Sequence, residues 1–467
     1  MSRRPREKRL EQRLRPLGAT LPKRLIRWLL IAALTLTLVF LGATAAYSAY
    51  KNYRRRPPDQ IHLAWLQNPA TTMTVVWRTY RDDTPSLVEY RLKGATDWQQ
   101  AVGTHLPSGT DGVLHDVTIE DLTPNTTYEY RVKGDYWSVW SDVATLRTAP
   151  LPNTKSFDVI YLADTGLVGR KDGLATGTQQ IVDEIAKLNP LVVLAGGDYA
   201  YYDKDRRYKP LDRAIDTWFN QMMPIAHQSV MMPTFGNHEA LLGENFTLWS
   251  QRFATPTGFD DNRNYSFDVG NAHFISIFAI YEQQGLSKAT LKWIEDDIQA
   301  AKASGKDWVI PFMHVSAFAE GASHPSNLAL RAQLGPLFER TGVKLVLSSH
   351  DQAYERTYPL VDVPKSMTPT STSKTCYTQN DGVTWIKTSP GGKKSNKSEA
   401  FSIFKNPTPP AWTAYRNNTM HVFTQLHVEP AGENQGEVQV KTFGVRGDGS
   451  PPVVIDSFKY ATGTCSS

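Results

Sequence analysis

Residues Leu191 to Tyr202 read Leu-Val-Val-Leu-Ala-Gly-Gly-Asp-Tyr-Ala-Tyr-Tyr. Branched apolar residues in an unbroken run predict a strand buried on both faces, as in a sheet covered by helices. Gly196-Gly197 then break the strand and deliver Asp198 to its carboxyl end, with Tyr201 three residues later. An open α/β sheet places its ligands at the carboxyl ends of its strands. A single Asp there carries little weight, because such residues also cap helices. Recurrence of the same event constrains the chain far more.

It recurs at four other apolar runs. Phe157–Leu162 leads to Asp164-Thr-Gly166, and Val230–Phe235 leads to Gly236-Asn237-His238-Glu239. Trp308–Phe312 leads to His314, and Lys344–Leu347 leads to His350-Asp351-Gln352. The five ends are expected on the carboxyl side of one sheet, where carboxylate, carboxamide, phenol and imidazole groups converge. Any one of these residues alone reads more simply as a cap, a turn or a core histidine. Together, hard oxygen donors mixed with imidazoles suit borderline or hard metal ions rather than thiolate-loving ones. A shared carboxylate can bridge two ions, and such a pair clamps a phosphate ester and supplies hydroxide for in-line attack.

The flanking sequence sorts into segments. Ten basic side chains lie between Arg3 and Arg27, and an uncharged run follows from Trp28 to Tyr47. About twenty such residues span a bilayer as a helix. The basic excess before residues 28–47 predicts a cytoplasmic tail over residues 1–27 and an extracytoplasmic body. A cleaved signal peptide is the rival, with Ala43-Thr-Ala45 resembling a cleavage site, and would make the body secreted. The net charge of +5 comes from this tail. The folded part is net negative and carries no nucleic-acid footprint.

After a linker at 48–60, short alternating strands at Ile61–Trp65, Met73–Trp77, Leu87–Arg91, His115–Ile119 and Thr127–Val132 predict a β-sandwich over residues 61–150. Leu122–Tyr128 reads as a corner closed by a Tyr hydroxyl. From residue 155 to 462 strands alternate with helical spacing, which predicts a layered α/β domain. Helices are expected at 175–188, 211–222, 288–303 and 328–340, a hairpin at 264–279 and loop over 361–398. In an oxidising compartment Cys376 and Cys465 can pair.

The ordered blocks Asp-x-Gly, Gly-Asp-x-x-Tyr, Gly-Asn-His-Glu, a lone His after an apolar strand, and His-x-x-Ala-Tyr-Glu-Arg resemble purple acid phosphatases of the calcineurin-like metallophosphoesterase superfamily. The resemblance covers roughly residues 57 to 460. It implies a four-layer α/β sandwich preceded by a fibronectin type III-like domain. It further implies a phosphoric monoester hydrolase with two metal ions: iron, and a second, divalent iron, zinc or manganese. Asp164 and Tyr201 would hold the first ion, Asp198 would bridge, and Asn237, His314 and His350 would hold the second. His238 and His324 would face the phosphate or the leaving group.

The family's last block is Gly-His-x-His, whereas this chain reads Ser349-His350-Asp351-Gln352. Three outcomes are open. Gln352 coordinates in place of the family's His, Asp351 swings in, or the first site is weak or prefers a harder ion. Phosphate monoesters are the default substrate, with diesters or nucleotides as the alternative. The rival from another class is a surface binding protein whose phosphatase site has weakened. Oligomeric state is left open.

Overall fold

The computed structural model of the protein describes residues 22–53, 56–135, 140–208, 211–241, 246–431 and 436–465. The chain divides into two units, Met1–Arg55 and Arg56–Ser467. Most of the expected basic tail, residues 1–21, lies outside the described residues.

In the first unit Lys23–Tyr53 form one helix that contains the whole expected span. Its stretch Lys23–Tyr50 is long and apolar enough to cross a membrane. The Thr35 and Thr37 hydroxyls donate to the Ile31 and Ala33 carbonyls at 2.9 and 2.8 Å. Bonding back to the preceding turn in this way satisfies a hydroxyl without water.

The second unit is built on two large sheets. In the first, Phe157–Leu162, Val192–Ala195 and Val230–Pro233 are parallel neighbours. In the second, Ala272–Ile277, Trp308–Val315, Leu345–Ser349 and Thr384–Lys387 run parallel. The pleat sends alternate side chains to opposite faces. Val159, Tyr161, Val192 and Leu194 therefore meet Phe274, Ile310 and Leu347 between the sheets. Ile160, Leu162, Val193 and Ala195 face Ile181, Ile185, Ile215 and Trp218 of the helices Thr178–Leu188 and Leu211–Ala226. Helices Lys288–Ala303 and Leu328–Thr341 cover the far face of the second sheet. The layers are helix, sheet, sheet, helix. The five strand ends thus come from two facing sheets, not from the one sheet expected. The Tyr161 hydroxyl ties these sheets together by donating to the Met313 carbonyl at 2.8 Å.

The N-terminal strands do not stand apart. Asp59–Ala64 pairs with Met73–Thr79 and, through Leu63 opposite Val230, joins the first large sheet. Leu87–Leu92, Gln99–Val102, Thr127–Val132 and Ala144–Arg147 form the opposing four-stranded sheet. The expected corner is present, with the Tyr128 hydroxyl accepting from the Thr123 N–H at 2.9 Å.

The stretch 361–398, expected as loop, inserts Thr384–Lys387 between Leu345–Ser349 and Tyr354–Thr357. All four of its residues are buried, so no alternation marks it as a strand. Cys376 and Cys465 form a disulfide, which fastens the C-terminal segment beside the Cys376–Thr378 strand.

Candidate metal centre

The sequence-predicted residues sit where their strands end. Asp164 follows Phe157–Leu162, and Asp198 and Tyr201 follow Val192–Ala195. Asn237 opens the short helix Asn237–Ala240. His314 closes on the end of Trp308–Val315, and His350 and Gln352 follow Leu345–Ser349. Four of them have left-handed backbones, with φ of 55° at Asp164, 54° at Asp198, 50° at Tyr201 and 80° at His350. Such conformations cost on the order of 1–3 kcal/mol each and persist where the surroundings enforce them, often at functional sites. The glycines make room for this. A Cβ on Gly236 would lie 2.2 Å from Asp198 Oδ1, and one on Gly197 would lie 2.5 Å from the Gly236 nitrogen.

Two clusters result. Asp198, His314 and His350 are buried and offer one ligand atom each, all within 4.8 Å of one another. His314 Nε2 lies 3.2 Å from Asp198 Oδ2 and 3.0 Å from His350 Nδ1. Beside them the Tyr201 hydroxyl donates to Asp164 Oδ1 at 2.6 Å. Gln352 Nε2 donates to the His350 carbonyl at 3.0 Å and lies 3.4 Å from both Asp164 Oδ1 and the Tyr201 oxygen.

These donors fit metal ions. Asn237 Oδ1 and Gln352 Oε1 are buried and accept no hydrogen bond. A buried amide oxygen left in that state is costly, and a cation of the hard or borderline kind satisfies it. Asp351 does not belong to this set. Its carboxylate accepts from Lys387 Nζ at 2.5 Å, from the Ser402 hydroxyl at 2.7 Å and from the His324 N–H at 3.1 Å. Of the three outcomes left open by the sequence, the one that swings Asp351 in is closed by these contacts.

His238 and His324 stand on opposite flanks. The His238 ring packs 4.2 Å from that of Tyr201, and its Nδ1 bonds Asp203 Oδ1 at 2.7 Å. The His324 ring lies 4.0 Å from that of His350, with Nδ1 on Glu282 Oε1.

Charge is unevenly shared. Burial works against an ionised Asp198, but His314 and His238 overcome it and hold that carboxyl well below its usual range. Burial and the Asp198 charge push Asp164 up, despite His314. Burial and the neighbouring Asp164 raise the Tyr201 phenol far above its usual range. Burial disfavours His238 cations, yet Asp198 and Asp203 raise its pKa.

Sequence reasoning missed four contributors. Asp203 orients His238 from two residues beyond Tyr201, a spacing that could have drawn notice. Glu239 accepts from the N–H groups of Asp198, Tyr199 and Gly236 at 2.7, 2.8 and 3.0 Å, binding two strand ends together. It was visible in the Gly-Asn-His-Glu block but had no assigned role. Lys393 places Nζ 4.1 Å from the centre of the Tyr201 ring. Burial and nearby Arg170 lower its pKa to about 7. Glu282 reaches in from a loop with no local signal at all.

Residues 58–148 match the family described as purple acid phosphatase, N-terminal domain, and residues 157–354 match calcineurin-like phosphoesterase. The chain is a purple acid phosphatase-like metallophosphoesterase. It is 27% identical over 414 residues to acid phosphatase type 7 of Homo sapiens, covering 81% of this chain and 88% of that protein. It is 26% identical over 322 residues to purple acid phosphatase 23 of Arabidopsis thaliana, covering 62% and 67%. The solved purple acid phosphatase PPD1 from yellow lupin seeds shares the fold at a TM-score of 0.73 and 19% identity, covering 87% of this chain and 74% of that one. This metallophosphoesterase is thus a phosphoester hydrolase by family.

Proposed function

We propose that this metallophosphoesterase hydrolyses phosphate monoesters at a dinuclear metal centre. We place that centre on an extracytoplasmic body anchored by the Lys23–Tyr50 helix. The observation that carries the reading is the buried convergence of Asp198, His314 and His350 beside two amide oxygens that accept no hydrogen bond. Asp164, Tyr201 and Gln352 would hold a first ion, and Asn237, His314 and His350 a second, with Asp198 shared between them. Iron with a divalent partner is the pair that the resemblance favours. Ions bound here supply Lewis acidity to the phosphoryl oxygens and acidify water.

The chain's own groups do the rest. Asp198 keeps its charge in the dry interior, so one carboxylate serves both positions. His238, held by Asp203 and with its pKa raised, carries a proton toward the phosphate or the departing alcohol, as a positioned general acid does. His324 faces the same space from the other flank.

The test uses the full chain in detergent, with metal analysis and hydrolysis of a chromogenic phosphate monoester. Two ions per chain and turnover are expected. Asp198→Asn is expected to lower kcat/KM by at least about 10²–10³-fold, the scale of removing one preorganised electrostatic group. A wild-type chain without metal or turnover overturns the reading in favour of a binding protein.

A further inference from the structure

Glu282 lies in the segment after the Ala272–Ile277 strand, and its carboxylate bonds two histidines at once. Glu282 Oε1 lies 3.1 Å from His350 Nε2 and also accepts from His324 Nδ1. The centroids of the two rings lie 4.0 Å apart, with the rings tilted by 48° to one another. Charges nearby include Lys397, whose Nζ is 4.0 Å from Glu282 and 2.6 Å from the Ser323 carbonyl, and Asp351, which accepts from the His324 N–H at 3.1 Å.

The chemistry of imidazole makes this contact consequential. A neutral ring has one N–H and one lone pair, and a carboxylate facing one nitrogen demands the N–H there. With the proton fixed on Nε2, the lone pair of His350 is left on Nδ1. Nδ1 is the atom that meets His314 Nε2, 3.0 Å away, in the Asp198 cluster. His314 Nδ1 is likewise held as a donor, by the Gly196 carbonyl at 2.8 Å, which leaves Nε2 as the nitrogen turned to Asp198. Carboxylates and carbonyls in this position hold metal-binding histidines in the ligating tautomer.

We propose that Glu282 is a positioning residue that serves both parts of the site. It fixes the tautomer of His350 for the second ion, and it aims His324 at the phosphate. This rests on the metal-centre reading above. Metal retention and substrate contact are then coupled through one carboxylate on a surface segment, whose side chain is 45% exposed.

The experiment measures Zn2+ affinity of the metal-stripped full chain in detergent, by competition with a chromogenic chelator. Glu282→Ala is expected to weaken the second Zn2+ by about 10–100-fold, the usual effect of losing such a partner. Glu282→Gln, whose amide oxygen still accepts, is expected to restore most of it. His324→Ala is expected to bind Zn2+ as the wild type does, because the effect passes through His350. Nitrogen-15 shifts of His350 in the metal-free chain give a second readout. They are expected to show Nε2–H in the wild type and a tautomer mixture in Glu282→Ala. Unchanged Zn2+ affinity in Glu282→Ala overturns the proposal, as does an unchanged tautomer. A wild type that binds no Zn2+, with the tautomer shift intact, overturns the metal-centre reading and leaves the orienting role of Glu282 standing.

Discussion

The two halves of the candidate centre are built from unlike materials. Around His314 and His350, each imidazole has its outward nitrogen occupied, by the Gly196 carbonyl and by Glu282. Their inward nitrogens face an ionised Asp198. Around Asp164 and Tyr201, the donors bond to one another: the phenol gives its proton to the carboxylate, and the neutral Gln352 lies beside both. The Lys393 amine sits over the phenol ring. The first arrangement has only the proton that Asp198 holds on His314 to give up before it binds a cation, since burial opposes that proton but Asp198 outweighs it and raises the pKa to about 9. The second must give up a hydrogen bond and a phenolic proton and tolerate an amine that is charged below about pH 7. The difference teaches that sharing a bridging carboxylate does not make two metal positions equal. The second position is expected to fill first.

Replacing the odd residue gives the largest change. Gln352→His supplies an imidazole where a carboxamide stands, and the first ion should bind about 10–100-fold more tightly, the range by which one supporting contact shifts a metal site. Metal titration checks it, and with iron a visible absorption band should strengthen. An unchanged first-ion affinity would break the comparison.

A remote histidine sharpens it. His273 has carboxylates on both nitrogens, Asp268 at 2.8 Å and Asp297 at 2.9 Å. Burial opposes its charge, but these partners raise its pKa to about 9, where His350 is lowered to about 3 by burial. A buried histidine with carboxylates on both nitrogens is a cation in waiting. Because the folded pKa of His273 is raised, its contribution is complete below about pH 6.5 and fades as pH rises through about 9. His273→Gln should destabilise the chain by about 2 kcal/mol at pH 6, allowing for the exposure of Asp268. Most of that difference should vanish at pH 10, as read by denaturant unfolding.

The smallest effect belongs to Lys393. Below about pH 7, where the Lys393 amine is charged, Lys393→Met removes a positive charge near the Tyr201 ring, worth about 1 kcal/mol at an intermediate dielectric. First-ion affinity should rise several-fold, with the second unchanged in the same titration. Equal gains at both positions would mean that the ammonium acts on the whole pocket.

Much of this was legible in the chain because ligands at strand ends leave a local trace. An apolar run, a glycine and a polar residue identify Asp164, Asp198 and Asn237 without any knowledge of their partners. His314 was legible in the same way, as the polar interruption that ends an apolar strand. Contributors that arrive from elsewhere leave no such trace. Glu282 lies 68 positions from His350 in sequence, and Lys393 sits in a stretch whose composition reads as loop. Thr384–Lys387 was hidden for a related reason. A four-residue strand between two others is specified by its neighbours' hydrogen-bonding edges, which a single sequence does not display. The pairing of Asp59–Ala64 with Val230–Pro233 is another contact at long range, and composition alone had suggested two separate modules.

That pairing bears on how the molecule tolerates being cut. Val230–Pro233 has Val192–Ala195 on one side and Asp59–Ala64 on the other. Trimming the chain back to the Leu151–Thr154 connection would strip the latter neighbour and leave a short, wholly apolar edge facing water. Unpaired edges of that kind recruit other chains and aggregate. The N-terminal sandwich is therefore the selvedge of the catalytic sheet, and its first duty is to keep that sheet from unravelling into its neighbours.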